Sequence, residues 1–506
     1  MTASAWSVAL IGMDGALVEV EAAIGGGLPR IVLVGLPDTA LYEARDRCRA
    51  AVKGAELSWP DQLVTINLTP AALPKAGSHY DLAIASAVLA ASGAVPPDLL
   101  RDTVMMGELG LDGRVRAVRG VLPGLLAAVD AGMVRAIVPA SQLDEAALVP
   151  GIAIWGVSTL TDLVEVLRGR PVLNTVPAAA DDPEPSKVPD LGDVTGQEAA
   201  KFALEVAAAG RHHLYLHGPP GVGKSMLASR LPGILPDLSP GEALEVSAVH
   251  SIAGQLHGGL IQRPTFADPL HNVSLTALVG GGQRVVRPGL VSLAHRGVLF
   301  LDEVLEFSSH LLEALRTPLE SGWVTIARAQ MMARFPARFQ LVVAANPCPC
   351  GQFGTPGGQC SCSPMAVRRY AERLSGPILD RIDIQYRLLP VRTSSFGSAP
   401  TGESSAAVAD RVQLARERQA WRLEGTGFTT NGEVPGSLLR HVLPAPLDTR
   451  PLDHALTRGL LSARGVDKVA RVSWTLADLA GKDRVSASHL RQALAMRQGE
   501  QAEVAA

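Results

Sequence analysis

Aromatic residues are scarce, 4% of a 506-residue chain, which argues against a surface built from many base-stacking platforms. Neither sign of charge is in excess: Lys and Arg total 46 against 49 Asp and Glu, a net charge of −3. Any nucleic-acid contact must then come from local basic patches and not from a global field. No apolar run reaches bilayer-crossing length, and the first residues lack the basic start, apolar core and cleavage site of a secretory signal. A cytoplasmic location and no membrane partner are the expectation. Cysteine is rare as well, five residues in all, yet four fall between Cys348 and Cys362. In a reducing compartment such clustering points to metal binding more than to disulfides. The chain is too long for one hydrophobic core, so roughly two to four domains are expected.

What is present is organised around Leu214-Tyr215-Leu216-His217-Gly218-Pro219-Pro220-Gly221-Val222-Gly223-Lys224-Ser225. An apolar-rich run ends at Gly218, a glycine loop follows, and helical apolar spacing begins after Ser225. This is G-x-x-x-x-G-K-[ST] in the strand–loop–helix setting that a P-loop requires. The glycines let backbone N–H groups turn inward around phosphate oxygens, at the positive end of a helix. Lys224 is expected to reach the β and γ phosphates of ATP, and Ser225 to ligate Mg²⁺.

Downstream, Gly297-Val298-Leu299-Phe300-Leu301-Asp302-Glu303 reads as a buried parallel strand whose acidic end enters the site. Asp302 is expected to hold Mg²⁺ and Glu303 to polarise the attacking water. A third strand, Phe339 to Ala345, ends in Asn346, an amide placed to orient that water.

The first 170 residues alternate short β-rich runs, such as Leu17–Glu21 and Arg30–Val34, with helical runs at 41–55 and 81–92, an α+β pattern. Leu73-Pro74-Lys75-Ala76-Gly77-Ser78 and Gly107-Glu108-Leu109-Gly110-Leu111-Asp112-Gly113 resemble the Lon protease catalytic domain. In that resemblance the nucleophile position falls on His79 and the lysine position on Leu122. Ser78 lies one place away with no base expected beside it, so peptidase activity is not expected. The domain implied is a Lon-like fold used for assembly or partner binding.

Acid-terminated and asparagine-terminated strands after a P-loop resemble the AAA+ ATPases. Pro288–Gly297, Leu315–Glu320 and Ser375–Asp383 are similar to the magnesium-chelatase-like branch. Asn346-Pro347-Cys348-Pro349-Cys350-Gly351 together with the Lon-like start resembles the ComM/YifB family, bacterial proteins linked to DNA uptake and branch migration. One departure is Asp268-Pro269-Leu270-His271-Asn272, where that family has a Pro-His-His run.

The resemblance implies a ring, usually a hexamer, whose nucleotide sites are completed by the neighbouring copy. It gives Arg381 the place of the arginine finger and Arg464, at the start of a late helix, that of a second γ-phosphate sensor. About eighty residues separate the P-loop from Asp302, long for a minimal unit, and the excess from His250 to Arg287 implies a pore-facing insert. A second pore segment is Trp323–Arg328 with Met332–Phe335, which alternates like a hairpin. Arg284, Arg287, Arg328 and Arg334 are then DNA-phosphate contacts without sequence reading.

Cys348-x-Cys350 and Cys360-x-Cys362 flank a glycine-rich loop, a set of four thiolates suited to a closed, structural zinc site. The expected organisation is multidomain α/β: a Lon-like domain at 1–170, a proline- and acid-rich linker at 171–193, and an AAA+ core at 194–392. A Ser/Gly/Thr-rich connection at 393–405, a helical lid at 406–497 and a tail at 498–506 complete it. Lys468 and Arg471 lie on the same helix as Arg464, at a spacing that suits a solvated face as an alternative. The function expected is a Mg²⁺-dependent, ring-forming ATPase that translocates on DNA. A protein-remodelling or metal-chelatase-type subunit is the alternative.

Overall fold

The computed structural model describes residues 1–35, 39–170, 188–282, 285–328, 331–355, 357–390, 402–444, 446 and 448–499. Most of the predicted linker, most of the Ser/Gly/Thr-rich connection, nearly all of the tail, and Arg284 lie outside the described residues.

A seven-stranded mixed sheet fills the first part of the chain, in the order Arg30–Val34, Leu63–Thr69, Asp14–Gly25, Thr2–Ile11, Thr103–Met105, Arg135–Pro139, Ala153–Val157. Its centre is a long antiparallel hairpin, Thr2–Ile11 against Asp14–Gly25, turned by Gly12 at φ +66°. The helix Asp81–Ala91 is buried at every position. Its run of Ala, Leu, Ile and Val packs on that hairpin, as an element apolar all round must.

The second sheet is five-stranded and wholly parallel: Phe266–Ala267, Val298–Leu301, Gln340–Ala345, Leu214–His217, Ile384–Arg387. Val298–Leu301 and Gln340–Ala345 are buried at every residue. Continuous apolar runs, not alternation, are what a parallel sheet covered on both faces selects. The order brings the ends of Leu214–His217, Val298–Leu301 and Gln340–Ala345 side by side, where ligands of such sheets bind.

Helices Ser405–Arg422, Ala463–Leu479 and Ala487–Gln498 follow. They share one hydrophobic core with the P-loop strand and the helix Glu198–Gly210. Arg416 and Gln419 close the carbonyl end of that helix by donating to Ala208 O and Ala209 O, satisfying acceptors a helix end leaves open.

Among the described residues the first sheet is joined to the second unit at two places. Met13 N donates to Arg334 O at 3.3 Å, and Ile11 and Met13 pack into the core on the second sheet. At Gly12 a Cβ would stand 2.5 Å from Arg334 O, so only glycine admits this approach. The other joint uses the helix Pro240–Ala253, started by a Ser239/Glu242 capping box with Pro at its first position and ended at Gly254 (φ +73°). Its Ser251 O accepts from Gly120 N at 3.2 Å, and Ser251 Oγ donates to the buried Glu145 at 2.5 Å.

Candidate functional site

Gly218 ends the P-loop strand by donating to Ala345 O at 3.2 Å, tying the loop to its neighbouring strand. A Cβ there would sit 2.5 Å from Leu388 O. Gly221 and Gly223 take left-handed φ of +80° and +92°, and a Cβ on Gly221 would meet nothing within 4 Å. Gly221 is exposed at the tip of the loop.

Lys224 lies folded across that loop. Its Nζ donates to Gly218 O (2.8 Å), Pro219 O (2.9 Å) and Asn346 Oδ1 (3.0 Å). Burial lowers its pKa, while Asp302 and Glu303 pull the other way. Ser225 Oγ donates to Asp302 Oδ2 at 2.5 Å. Two oxygens held this close, with a second carboxylate adjacent, suit a hard, oxygen-seeking cation. Glu303 is exposed and takes φ +48°, rare for a residue with a side chain and the kind of local strain kept at functional sites. The structure thus brings together Lys224, Ser225, Asp302, Glu303 and Asn346 from three adjacent strand ends.

Arg381 and Arg464 stand apart from this group. Arg381 is 9% exposed and turned onto its own chain, donating to Pro377 O at 2.5 Å and pairing closely with Glu320. Arg464 is exposed in the first turn of Ala463–Leu479, with no hydrogen bond or ion pair among the described residues.

Lys468 and Arg471 correct the expectation of a solvated face. Arg471 is 9% exposed. Lys468 pairs with Asp383 at 2.8 Å and donates to Arg381 O at 2.8 Å. Burial alone would raise the Asp383 carboxyl, but Lys468, followed by His212 and His213, holds it well below the usual range. Other residues that the sequence reading missed are Glu320 and Gln197. Gln197 Nε2 donates to Leu389 O at 2.8 Å beside the P-loop, and its place in the Thr-Gly-Gln opening of the domain was the available signal.

Trp323–Arg328 and Met331–Pro336 form the predicted antiparallel hairpin. Gly280–Gly281 pairs with Arg287–Pro288 in a second, smaller one. Arg287 and Arg328 are exposed, and Arg328 Nη2 lies 3.6 Å from where a Cβ on Gly281 would stand. Arg119 of the first sheet's unit joins them; burial and Arg287 together lower its pKa. Arg334 is exposed too but stacks 4.8 Å over the Trp323 ring at the hairpin's base.

The four cysteine Sγ atoms converge within 4.8 Å of one another. Cys348 is fully buried, and its sulfur is 3.3 Å from that of Cys350 and 3.8 Å from that of Cys360. The backbone N–H of Gln352 draws the Cys350 thiol down to about 6. The N–H of Cys362 lowers Cys360, but desolvation and the Cys350 and Cys348 thiols overcome it and push Cys360 up to about 11. The 3.3–3.8 Å separations among the Cys348, Cys350 and Cys360 sulfurs are close to the edges of a zinc–thiolate tetrahedron, about 3.8 Å for Zn–S bonds of about 2.3 Å.

In the first sheet's unit, Lys75 is 1% exposed and donates to Gly35 O (3.2 Å) and to Pro70 O. His79 Nε2 is 2.7 Å from Val8 O, and burial takes its pKa down to about 4. Leu122 is fully buried. Ser78 differs from expectation: its Oγ donates closely to the Glu108 carboxylate.

Residues 190–396 match the family described as magnesium chelatase, subunit ChlI. Residues 20–142 match subunit ChlI of Mg-chelatase, and residues 402–497 match the ChlI C-terminal part. An uncharacterized protein of Mycobacterium tuberculosis is 54% identical over 497 residues, 98% of each chain. The uncharacterized protein YifB of Escherichia coli is 41% identical over 493 residues, 97% of this chain and 96% of that protein. The competence protein ComM of Haemophilus influenzae is 40% identical over 502 residues, again 97% and 96%.

Proposed function

The chain belongs to the ComM/YifB group of magnesium-chelatase-like AAA+ ATPases, and on that premise we propose that it hydrolyses ATP to translocate on DNA as a ring. The observation carrying the ATPase reading is the convergence of Lys224, the Ser225–Asp302 pair, Glu303 and Asn346 at three neighbouring strand ends.

In this reading Gly218 to Ser225 cradle the phosphates, and Lys224 exchanges the Gly218 and Pro219 carbonyls for β and γ phosphate oxygens. Ser225 and Asp302 would hold Mg²⁺, which when bound would supply neutralisation of charge on the transferred group. Glu303 takes a proton from the attacking water, and Asn346 fixes that water once Lys224 has left its amide oxygen. Arg381, released from Glu320, serves the site of the next copy, and Arg464 reaches the γ phosphate of its own; a homo-hexamer supplies both. The four thiolates carry a structural zinc. The first sheet's unit is a Lon-like domain without peptidase activity, used for partner proteins or assembly.

The DNA reading is supported by the competence name of the Haemophilus relative and by the exposed Arg287 and Arg328 beside two hairpins. A role linked to DNA uptake or recombination follows from it. A metal-chelatase-type or protein-remodelling ATPase is the second reading, favoured by the family description. Steady-state ATP hydrolysis with and without single-stranded and forked DNA, at two salt concentrations, separates them. Stimulation that weakens steeply with salt is expected, since phosphate contacts release counterions. No response to any DNA would remove the DNA motor and leave the second reading.

A further inference from the structure

We infer that the cysteine loop is one wall of the nucleotide site, so that its zinc loading sets nucleotide affinity. This rests on the zinc assignment made above and adds a consequence for a different ligand.

Cys348 follows two residues after Asn346, whose amide oxygen holds Lys224 at 3.0 Å. The chain then turns at once: Gly351 N donates to Cys348 O at 2.9 Å. Gly351 has φ +77°, and a Cβ there would stand 2.6 Å from Pro220 Cδ. The loop's first turn thus lies directly on the P-loop, with room for a hydrogen and no more. From the other side Arg387 Nη2 donates to Gly354 O at 2.8 Å. Arg387 pairs in register with His217, the residue before the P-loop. The cysteine loop is therefore pinned across both flanks of the phosphate-binding turn.

Little in the loop itself explains why it stays there. Among its described residues there is no helix or strand, and Phe353, its one aromatic residue, is 50% exposed. Among the described residues its internal backbone bonds are three, Gly351 to Cys348, Thr355 to Gln352 and Gly358 to Thr355. Such a glycine-rich segment buries too little apolar surface to offset the entropy of ordering it. The convergence of four sulfurs within 4.8 Å supplies what the loop lacks. A d¹⁰ cation bound by four thiolates closes the loop with no open coordination position and no redox step. Small metal-closed loops of this kind lose their order when the ion leaves.

The test uses the full-length protein. Elemental analysis is expected to give one zinc per chain, and Co²⁺ exchange the visible bands of a tetrahedral thiolate site. Withdrawing zinc with a mercurial and chelator is expected to weaken binding of a fluorescent ATP analogue at least tenfold. Reductant and Zn²⁺ should restore it. Gly351→Ala keeps all four ligands and should keep its zinc, while the added methyl against Pro220 weakens nucleotide binding by a comparable factor. A protein purified without zinc would overturn the metal assignment and this inference together. Zinc present, with nucleotide affinity unchanged both on its withdrawal and in Gly351→Ala, would overturn the wall alone and leave the ion a remote brace.

Discussion

Two loops of this molecule carry the same pair of residues and put them to opposite uses. At Lys75 and Ser78 the amine donates to the carbonyls of Gly35 and Pro70 and the hydroxyl to Glu108. At Lys224 and Ser225 the amine donates to the carbonyls of Gly218 and Pro219 and the hydroxyl to Asp302. Residue type and hydrogen-bond partners are nearly the same. What differs is the space beside them. Lys75 is walled in at 1% exposure, and its Nζ ties two segments of chain together. Lys224 is buried too, at 8% exposure, but Gly221 and Ser225 of the same loop are exposed. A buried lysine with nowhere to go is a crosslink; one that can trade carbonyl oxygens for phosphate oxygens is a ligand.

The largest effect expected from breaking this contrast is at Lys224. Lys224→Ala should lower nucleotide affinity by about 100-fold or more, worth roughly 2.7 kcal/mol, with the fold retained by circular dichroism. Normal ATP binding by that variant would place the phosphate site elsewhere. Next, Glu303→Gln should bind ATP as tightly as wild type yet turn it over about 10²–10⁴ times more slowly, the usual loss of a general base. Equal hydrolysis would remove Glu303 from the chemistry.

Lys75→Met sharpens the comparison from the other side. It should leave hydrolysis untouched and reduce unfolding free energy by about 2 kcal/mol, because the buried Gly35 carbonyl and the part-buried Pro70 carbonyl lose their donor. Urea denaturation followed by fluorescence measures it, and a loss of ATPase without a loss of stability would reverse the assignment.

The smallest effect is a matter of pH. His212, His213 and His295 on the ATPase side are each held near 4 by burial. Unfolded histidine takes its proton near 6.5, so their contribution is full above 6.5 and is lost as pH falls from there to about 4. His79 behaves alike, but beside it burial raises Asp81 to about 6 despite Arg47. That carboxyl is costly when ionised, and its penalty is relieved as pH falls from about 6 toward its ordinary value. Hydrogen exchange at pH 5 should therefore open the ATPase side before the first sheet. The reverse order would show that these histidines do not govern acid stability.

Much of the nucleotide site was legible because its chemistry is written in short, contiguous runs. Gly218–Ser225, Asp302-Glu303 and Asn346 each announce a strand end by the break from apolar to polar residues. What was hidden depends on distant chain packing over a residue whose own neighbourhood looks ordinary. Lys468 sits among polar helix positions and reads as solvated, yet Asp383, 85 positions earlier, receives it. Arg381 pairs with Glu320, 61 positions earlier, although Asp380 and Asp383 are its neighbours in sequence. Glu108 was in view beside Gly107, but its approach to Ser78 depends on Gly107 N meeting His79 O, a pairing no periodicity reports.

The seam between the two sheets bears on how the chain can be divided. A cut in the proline-rich stretch after residue 170 looks harmless by composition. It would strip Ile11 and Met13 from the core they complete and leave Arg334 O without its donor. On the same severed fragment Ala248 and Leu244 would lose the cluster around Val121 and Leu125. An ATPase fragment prepared that way would carry a raw apolar scar beside its arginine-bearing hairpin, and it would stick to itself before it could be assayed as a motor.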